Sequence, residues 1–274
     1  MVLWMTDEPC EDAASIWWAL RDIPDLQVVL LDDLDPQPSP VGARRPWDQA
    51  ELGLELMEVP ELSTLGEALA SPWRSWKSSE TRDDPELEAR LRASTVLTRE
   101  QSESMIQRRR ARWDGPDFSP EDLEHRAPFT GFPGLARRQD GSLPLAVLEE
   151  TVKGQSPAFV GLVPSARAAD IPMEIGLLST IDLWGVTADG VHETALLTAR
   201  LRSWEERFGA RVLRLGWATI YLLIARPPTS DEHALAVAGE LYGVAAEFGE
   251  GAVTSVSEIA AQVIGSPLWR LWWD

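Results

Sequence analysis

The sequence predicts a mixed α/β protein of the α+β type. We expect an N-terminal domain that contains a βαβ unit and several helices, followed by a C-terminal ferredoxin-like domain with the order βαββαβ. Short apolar runs typical of strands occur near both ends of the chain. Segments with helical periodicity and capping residues lie between them, and a stretch rich in Gly and Pro separates two groups of elements. A chain of 274 residues is long enough for two domains.

The N-terminal domain, assigned to residues 1–125, opens with a strand, a helix and a second strand. Residues 2–5 are apolar, Asp12 is placed to cap the following helix, and residues 27–31 read Gln-Val-Val-Leu-Leu. Because a helical crossover joins parallel strands, these elements predict a βαβ unit. Further helices are predicted at residues 47–57, 63–70 and 85–94, and at 98–113 behind a Thr98–Gln101 capping box.

Residues 126–157 are predicted to link the domains, because turn-forming Gly and Pro dominate there. The C-terminal domain, residues 158–274, has its elements in the order of a split βαβ arrangement. They are a strand at 158–163, a helix at 191–208, a hairpin of strands at 211–215 and 219–225, helices behind Thr229 and Ser255, and a strand at 268–273. Arg211, Arg214 and Arg270 mark the second and fourth strands as expected sheet edges, with the other two strands in the centre.

Three C-terminal motifs resemble a known family. They are Ser-Trp-Glu-Glu-Arg-Phe-Gly-Ala at 203–210, Arg-Pro-Pro at 226–228 and Trp-Arg-Leu-Trp-Trp-Asp at 269–274. Together they are similar to a bacterial family known only as domain of unknown function 4253, over about residues 158–274, with a looser match in the N-terminal region. The resemblance implies no activity. Members commonly carry Cys-Pro-Asp where this chain has Ala245, Ala246 and Glu247, so any chemistry that those positions serve in relatives is not expected here.

The composition excludes several function classes. The chain holds 44 Asp and Glu against 25 Lys and Arg, a net charge of −19, so phosphate backbones and anionic membranes would repel it. We therefore expect no nucleic acid partner and no membrane contact. The apolar runs are too short for a membrane helix and no signal peptide is recognisable, which predicts a cytoplasmic protein. A single cysteine, Cys10, excludes an internal disulfide and a cysteine-rich zinc site.

Motifs for catalysis are missing or incomplete. The sequence has no Gly-x-Ser-x-Gly and no Walker loop, and the His192-Glu193 pair lacks the second histidine of a metalloprotease pattern. We expect no catalytic residue and no cofactor. Asp32, Asp33 and Asp35 follow a strand and are weak candidates for a cation site, although a solvated strand end explains them equally well.

The candidate binding residues lie in the C-terminal domain. Of the 13 Trp in the chain, Trp269 is expected to face the helices and Trp272 the opposite, open face of the last strand. This aromatic end serves either core packing or partner binding, because Trp is favoured in both. Arg167 and Asp170 either form a buried ion pair or line a pocket. The full candidate set is Arg167, Asp170, Trp204, Arg207, Trp269, Trp272 and Asp274.

These observations favour a non-catalytic, acidic, Trp-rich binding module rather than an enzyme. Its expected partner is another protein, a basic one by charge complementarity. Toxin-neutralising immunity proteins share the acidic composition, which is an analogy of charge alone. The alternative is an enzyme or small-molecule binder with a site between the domains, near Arg167, Asp170 and Asp32.

Overall fold

The computed structural model describes residues 4–32, 62–70, 73–74, 84–93, 97–113, 120–175, 193–216, 219–244 and 255–272. The strands are β1 (Trp4–Met5), β2 (Gln27–Leu31), β3 (Phe159–Val163), β4 (Ala210–Leu215), β5 (Thr219–Ile224) and β6 (Leu268–Trp272). The helices are α1 (Ala13–Leu20), α2 (Leu62–Ala70), α3 (Pro85–Arg92), α4 (Arg99–Trp113), α5 (Pro120–Arg126), α6 (Leu145–Lys153), α7 (Ile171–Glu174), α8 (Glu193–Phe208), α9 (Asp231–Tyr242) and α10 (Val256–Val263). A short 3₁₀ turn, Ala168–Asp170, precedes α7. The predicted helix at 47–57 lies outside the described residues.

The six described strands form one mixed sheet in the order β1-β3-β2-β4-β5-β6. Neighbours β2 and β4 run parallel, whereas the other adjacent pairs run antiparallel. The mixed α/β class is confirmed by this sheet and its helices. Strands from both sides of the predicted linker therefore lie side by side in a single sheet.

The strand order differs from the expected ferredoxin-like one. Strand β3 pairs with β1 and β2, not with β5 or β6. The prediction that residues 158–274 form a separate, ferredoxin-like four-stranded antiparallel sheet is therefore wrong. Strands β1 and β2 do point the same way, as a βαβ unit requires, but β3 lies between them. After a long connection, β3 inserts between β1 and β2 of the N-terminal unit. Local sequence patterns do not encode this strand pairing.

Two ion pairs explain why β4 occupies the centre of the sheet and not an edge. Its two arginines, Arg211 and Arg214, predict an edge strand from the sequence alone. Instead, Arg211 Nη1 lies 3.3 Å from Asp22 Oδ1, just before β2, and Arg214 Nε donates to Asp32 Oδ1 at 2.6 Å, just after β2. Because each guanidinium meets a carboxylate from the segments flanking β2, the arginines are compatible with a central strand.

Helices cover both faces of the sheet. On one face, α8, α9 and α10 bury the larger core, which includes the predicted α8 stripe of Leu197, Leu201, Trp204 and Phe208. On the other face, α1 and α6 pack through Trp17, Leu148 and Val152 against β2, β3 and the middle of β4. Strand β2 is buried along its whole length because it contributes side chains to both cores.

Helix caps agree with the sequence in two of four cases. Asp12 stands at the N-cap position of α1, but its side chain makes no capping hydrogen bond. Thr98 and Gln101 exchange backbone-to-side-chain hydrogen bonds, and Ser255 forms a capping box with Glu258. The helix expected behind Thr229 is instead capped by Ser230, whose hydroxyl accepts from the backbone N–H of His233. A one-residue shift of this kind follows because adjacent Thr and Ser are both competent caps.

Candidate functional site

A buried polar centre joins two candidate residues, Trp204 and Arg207 of α8, to Glu240 of α9. Glu240 is completely buried. Its carboxylate accepts hydrogen bonds from both terminal nitrogens of Arg207 at 2.6 Å, from Trp204 Nε1 at 2.9 Å and from the backbone N–H of Ala136 at 2.6 Å. Arg207 also donates to the carbonyl of Ala136 at 2.7 Å.

This centre is built to hold the fold together. Four donors saturate the Glu240 carboxylate, which leaves it no free lone pair directed at a substrate. Glu240 is not among the candidate residues that the sequence predicts. The signal that could have found it is a charged residue on the apolar stripe of a helix, directly before the fully buried Leu241.

Arg167 and Asp170 do not pair with each other, and that interpretation of the two residues is wrong. Arg167 Nε donates to Glu205 at 2.7 Å and its Nη2 to Glu206 at 3.0 Å, whereas Asp170 accepts from Arg202 at 2.7 and 3.1 Å. Burial acts to lower the pKa of Arg167, but the hydrogen bonds to the two glutamates outweigh it, so this pKa is raised. These pairs attach the segment after β3 to the end of α8.

Asp32 lies at the carboxyl end of β2, as predicted, and is engaged by Arg214. A Cβ added to Gly216 would stand 2.7 Å from Asp32 Oδ2, which shows how closely β4 approaches this carboxylate. Asp33 and Asp35 lie outside the described residues. Within the described part of the chain, no group of three or more His, Cys, Asp or Glu could hold a metal ion.

The structure does not bring Arg167 and Asp170 together with Asp32. Strand β3 runs antiparallel to β2 with Val163 opposite Gln27, so the segment after β3 emerges at the start of β2. Asp32 follows the end of β2. Five residues of strand span roughly 13 Å between their first and last Cα atoms, which places the two groups beyond opposite ends of the same strand.

Strand β6 presents two different faces. Trp269 and Leu271 are fully buried against the α8 side, where the Trp269 ring packs at 6.2 Å from Trp204 and 5.4 Å from Phe208. Arg270 and Trp272 lie on the opposite face and are half-buried. The predicted alternation is therefore confirmed for Trp269 and Trp272. Asp274 lies outside the described residues.

Tyr221 and Arg270 complete a surface that the sequence patterns do not predict. Tyr221 of β5 pairs directly with Arg270, and the Arg270 Cζ lies 5.9 Å from the Tyr221 ring centroid. Thr219 pairs in the same way with Trp272. We call Tyr221, Arg270 and Trp272 the β6 surface. The period-2 pattern of β5 and β6 could have identified it, once their pairing register was known.

The backbone of β6 has an outward-directed row of polar groups. Ile224 N donates to Pro267 O at 2.8 Å, and the register makes 224–267, 222–269 and 220–271 the hydrogen-bonded pairs. The N–H and C=O groups of Leu268, Arg270 and Trp272 therefore point away from β5. Those of Leu268 are already satisfied within the chain, because its N–H donates to Ser266 Oγ at 3.3 Å and its C=O accepts from that hydroxyl at 2.8 Å. No described strand pairs with that side of β6, because β6 ends the strand order.

A second surface lies at the other end of the sheet. Trp4 in the edge strand β1 is 58% exposed. Four exposed acidic residues follow it, and the first twenty residues contain no Lys or Arg. The residues are Asp7, Glu8, Glu11 and Asp12. This segment contributes locally to the strongly negative charge of the chain.

Comparison with known proteins adds one finding. Residues 159–274 match the family model described as Domain of unknown function (DUF4253). Searches of curated proteins and of solved structures returned no match to this chain. The positions 245–247, where the chain departs from the family pattern, lie outside the described residues. In the described residues, no helix is both long and apolar enough to cross a membrane.

Proposed function

We propose that this protein, whose residues 159–274 match the DUF4253 family model, is a non-catalytic module that binds another protein at the β6 surface. The observation that carries this proposal is the grouping of half-exposed Tyr221, Arg270 and Trp272 around a terminal strand. Tyr, Arg and Trp are the residue types that dominate binding hot spots, because they combine large contact area with hydrogen bonding.

The titratable residues support binding over catalysis. The carboxylates of Glu240, Asp170 and Asp32 are each hydrogen bonded to an arginine within the fold. An acid or base that works on a substrate needs a group within reach of it, and these three are already committed to partners inside the chain.

The charge of the chain favours a basic partner. A net charge of −19 attracts a basic protein over distances longer than a contact and raises the rate of encounter. We therefore propose a partner that is basic overall.

A pull-down with immobilised protein tests this proposal, with bound proteins identified by mass spectrometry. Trp272→Ala removes the largest side chain of the β6 surface. Trp4→Ala is the matched control, because it removes an exposed Trp from the opposite edge of the same sheet. We expect the parent protein and Trp4→Ala to retain the same basic proteins, and we expect Trp272→Ala not to retain them. Equal retention by all three proteins contradicts a docking role for the β6 surface.

A second candidate function is the binding or conversion of a small molecule. It rests on one observation, the position of Asp32 and Arg214 at the carboxyl ends of the parallel strands β2 and β4, where open α/β sheets bind ligands. A thermal-shift panel of metabolites, nucleotides and metal ions separates the two. Stabilisation by one of these compounds, without any retained protein, favours this second function.

A further inference from the structure

Two arginines that form no ion pair with a described residue lie at the carboxyl end of α8. Arg226 follows β5, and its backbone N–H donates to Phe208 O at 2.9 Å. Arg138 directly precedes Gln139, whose backbone N–H donates to Arg207 O at 3.2 Å. Two segments that are far apart in sequence are thereby fixed to consecutive residues at the end of one helix, with an arginine on each.

The Arg226 guanidinium is held in place but keeps unused donors. Its Nη2 donates to the Glu206 carbonyl at 2.9 Å and to the Glu205 carbonyl at 3.4 Å. A Cβ added to Gly209 would stand 3.6 Å from Arg226 Cζ, which shows how closely the group lies against the chain there. Among described residues, Nε is enclosed without an acceptor and Nη1 has no hydrogen-bond partner.

Arg138 stands close enough to Arg226 for their charges to interact. Burial first, and the Arg138 charge second, lower the pKa of Arg226. The carboxylates of Glu205 and Glu206 do not offset this repulsion by pairing with Arg226, because both are engaged by Arg167. Two like charges side by side are unfavourable unless a counter-ion lies with them. The described part of the chain supplies no such counter-ion.

We infer that Arg138 and Arg226 bind the phosphate group of a small molecule. Arg226 offers Nη1 from a fixed position, and the exposed Arg138 offers its whole guanidinium. Phosphate is the oxyanion that fits, because it carries about 1.5 to 2 negative charges at neutral pH and can neutralise both arginines at once. Hydrogen bonds between arginine and phosphate are also stronger than those between neutral groups.

Helix capping by itself does not account for this arrangement. A cation beside the last carbonyls of a helix is favourable, and Arg226 provides that cation through Nη2. The cap gives no role to Nη1 or to Arg138. A purely structural arrangement therefore predicts that Arg138 can be replaced without consequence, whereas a phosphate site predicts a loss of binding.

The net charge of −19 limits the ligand to a small one. At physiological salt, exposed charges farther away than about 8 Å are largely screened, so the two arginines govern the binding of a single phosphate group. A nucleic acid would bring many further phosphates against an acidic protein. The inference does not rest on the proposed function, because neither arginine belongs to the β6 surface.

A phosphate titration of the full chain tests the site. The probe is inorganic phosphate, exchanged for sodium chloride at constant ionic strength and followed by the arginine side-chain N–H signals in NMR spectra. Arg138→Gln removes one cation but no hydrogen bond with a described residue. Arg137→Gln is the matched control, because it removes the same charge from the exposed neighbour. Thermal melts should show both variants folded like the parent.

We expect saturable phosphate shifts of the Arg138 and Arg226 signals in the parent. Arg138→Gln should bind phosphate roughly tenfold more weakly, as the loss of a charge-assisted hydrogen bond requires, and Arg137→Gln within about twofold of the parent. Equal weakening in both variants, or no saturable shift in the parent, overturns the inference. Acetate at the same ionic strength is the last comparison, and binding as tight as that of phosphate overturns the assignment of the ligand.

These outcomes are independent of the pull-down. Loss of phosphate binding in Arg138→Gln supports the site even if no basic protein is retained. Retention of a basic protein by the parent does not rescue the site if phosphate fails to bind.

Discussion

The Glu240 carboxylate of α9 and the Arg207 guanidinium of α8 form a two-point ion pair, with both nitrogen–oxygen distances at 2.6 Å, at a position where Glu240 is wholly buried. Ala136 bonds to both residues through its backbone. The pair therefore joins two helices to the stretch at 126–157 that the sequence predicts as a linker. One interaction holds three separate parts of the chain against each other.

Breaking this pair should strongly destabilise the protein. Glu240→Ala leaves the Arg207 charge without its partner and removes the acceptor for Trp204 Nε1. Removing one member of a buried pair costs about 3–5 kcal/mol in the free energy of unfolding. Urea denaturation measures this loss. Lys153→Ala, which removes a half-exposed pair with Glu149, is the control and should leave the midpoint nearly unchanged. Equal midpoints for the two variants would contradict a structural role for Glu240.

The two tryptophans of β6 should differ sharply in their effect on stability. Trp269→Ala removes a fully buried ring from the core and should cost about 3–5 kcal/mol. Trp272→Ala removes a half-exposed ring and should cost much less. Thermal melts followed by circular dichroism compare them. A large loss for Trp272→Ala would mean that this ring supports the fold, and its binding role would then need separate proof.

Glu174 should make stability depend on pH. Burial and then the nearby Asp170 raise the pKa of Glu174, so the folded state holds this proton more tightly than the unfolded state. The stabilisation that this proton provides is complete below the pKa that Glu174 has in the unfolded chain. It is lost as the pH rises through the higher pKa that Glu174 has in the folded state. Glu174→Gln, which stays neutral, should therefore melt higher than the parent at neutral pH and match it near about pH 3.

Glu258 provides a control of opposite sign for the pH experiment. Hydrogen bonds from the Ser255 backbone and then its hydroxyl lower the pKa of Glu258. Its stabilising contribution is present above the unfolded pKa and is lost as pH falls through the folded pKa. Glu258→Gln should therefore melt below the parent at neutral pH, with the difference fading in acid. Shifts in the same direction for both variants would contradict the assignment.

Two glycine substitutions test how tightly β4 approaches Asp32. In Gly216→Ala the new Cβ would stand 2.7 Å from Asp32 Oδ2, so the carboxylate that accepts from Arg214 must shift. We expect a loss of about 1–3 kcal/mol in the free energy of unfolding. Gly66→Ala is the contrast, since its Cβ meets nothing within 4 Å inside α2 and should stabilise by about 0.5–1 kcal/mol. Thermal unfolding of both variants decides the matter.

The sequence by itself determined most local elements of this protein. Helical periodicity and capping boxes predicted α4, α8 and α10, and apolar runs predicted β2 and β3, because these features depend on residues close together in the chain. The alternation in β6 also placed Trp269 inside and Trp272 outside correctly. The family resemblance rested on local motifs and was confirmed for residues 159–274.

Only the tertiary structure decided which strands are neighbours and which charges meet. Residues far apart in sequence make those contacts, such as Arg214 with Asp32, so no local pattern specifies them. Two arginines in β4 look like an exposed edge until the carboxylates beside β2 are seen to neutralise them. In the same way, the β6 surface exists because the β5–β6 register brings Tyr221 beside Arg270, and a shift of one residue would turn these side chains to opposite faces.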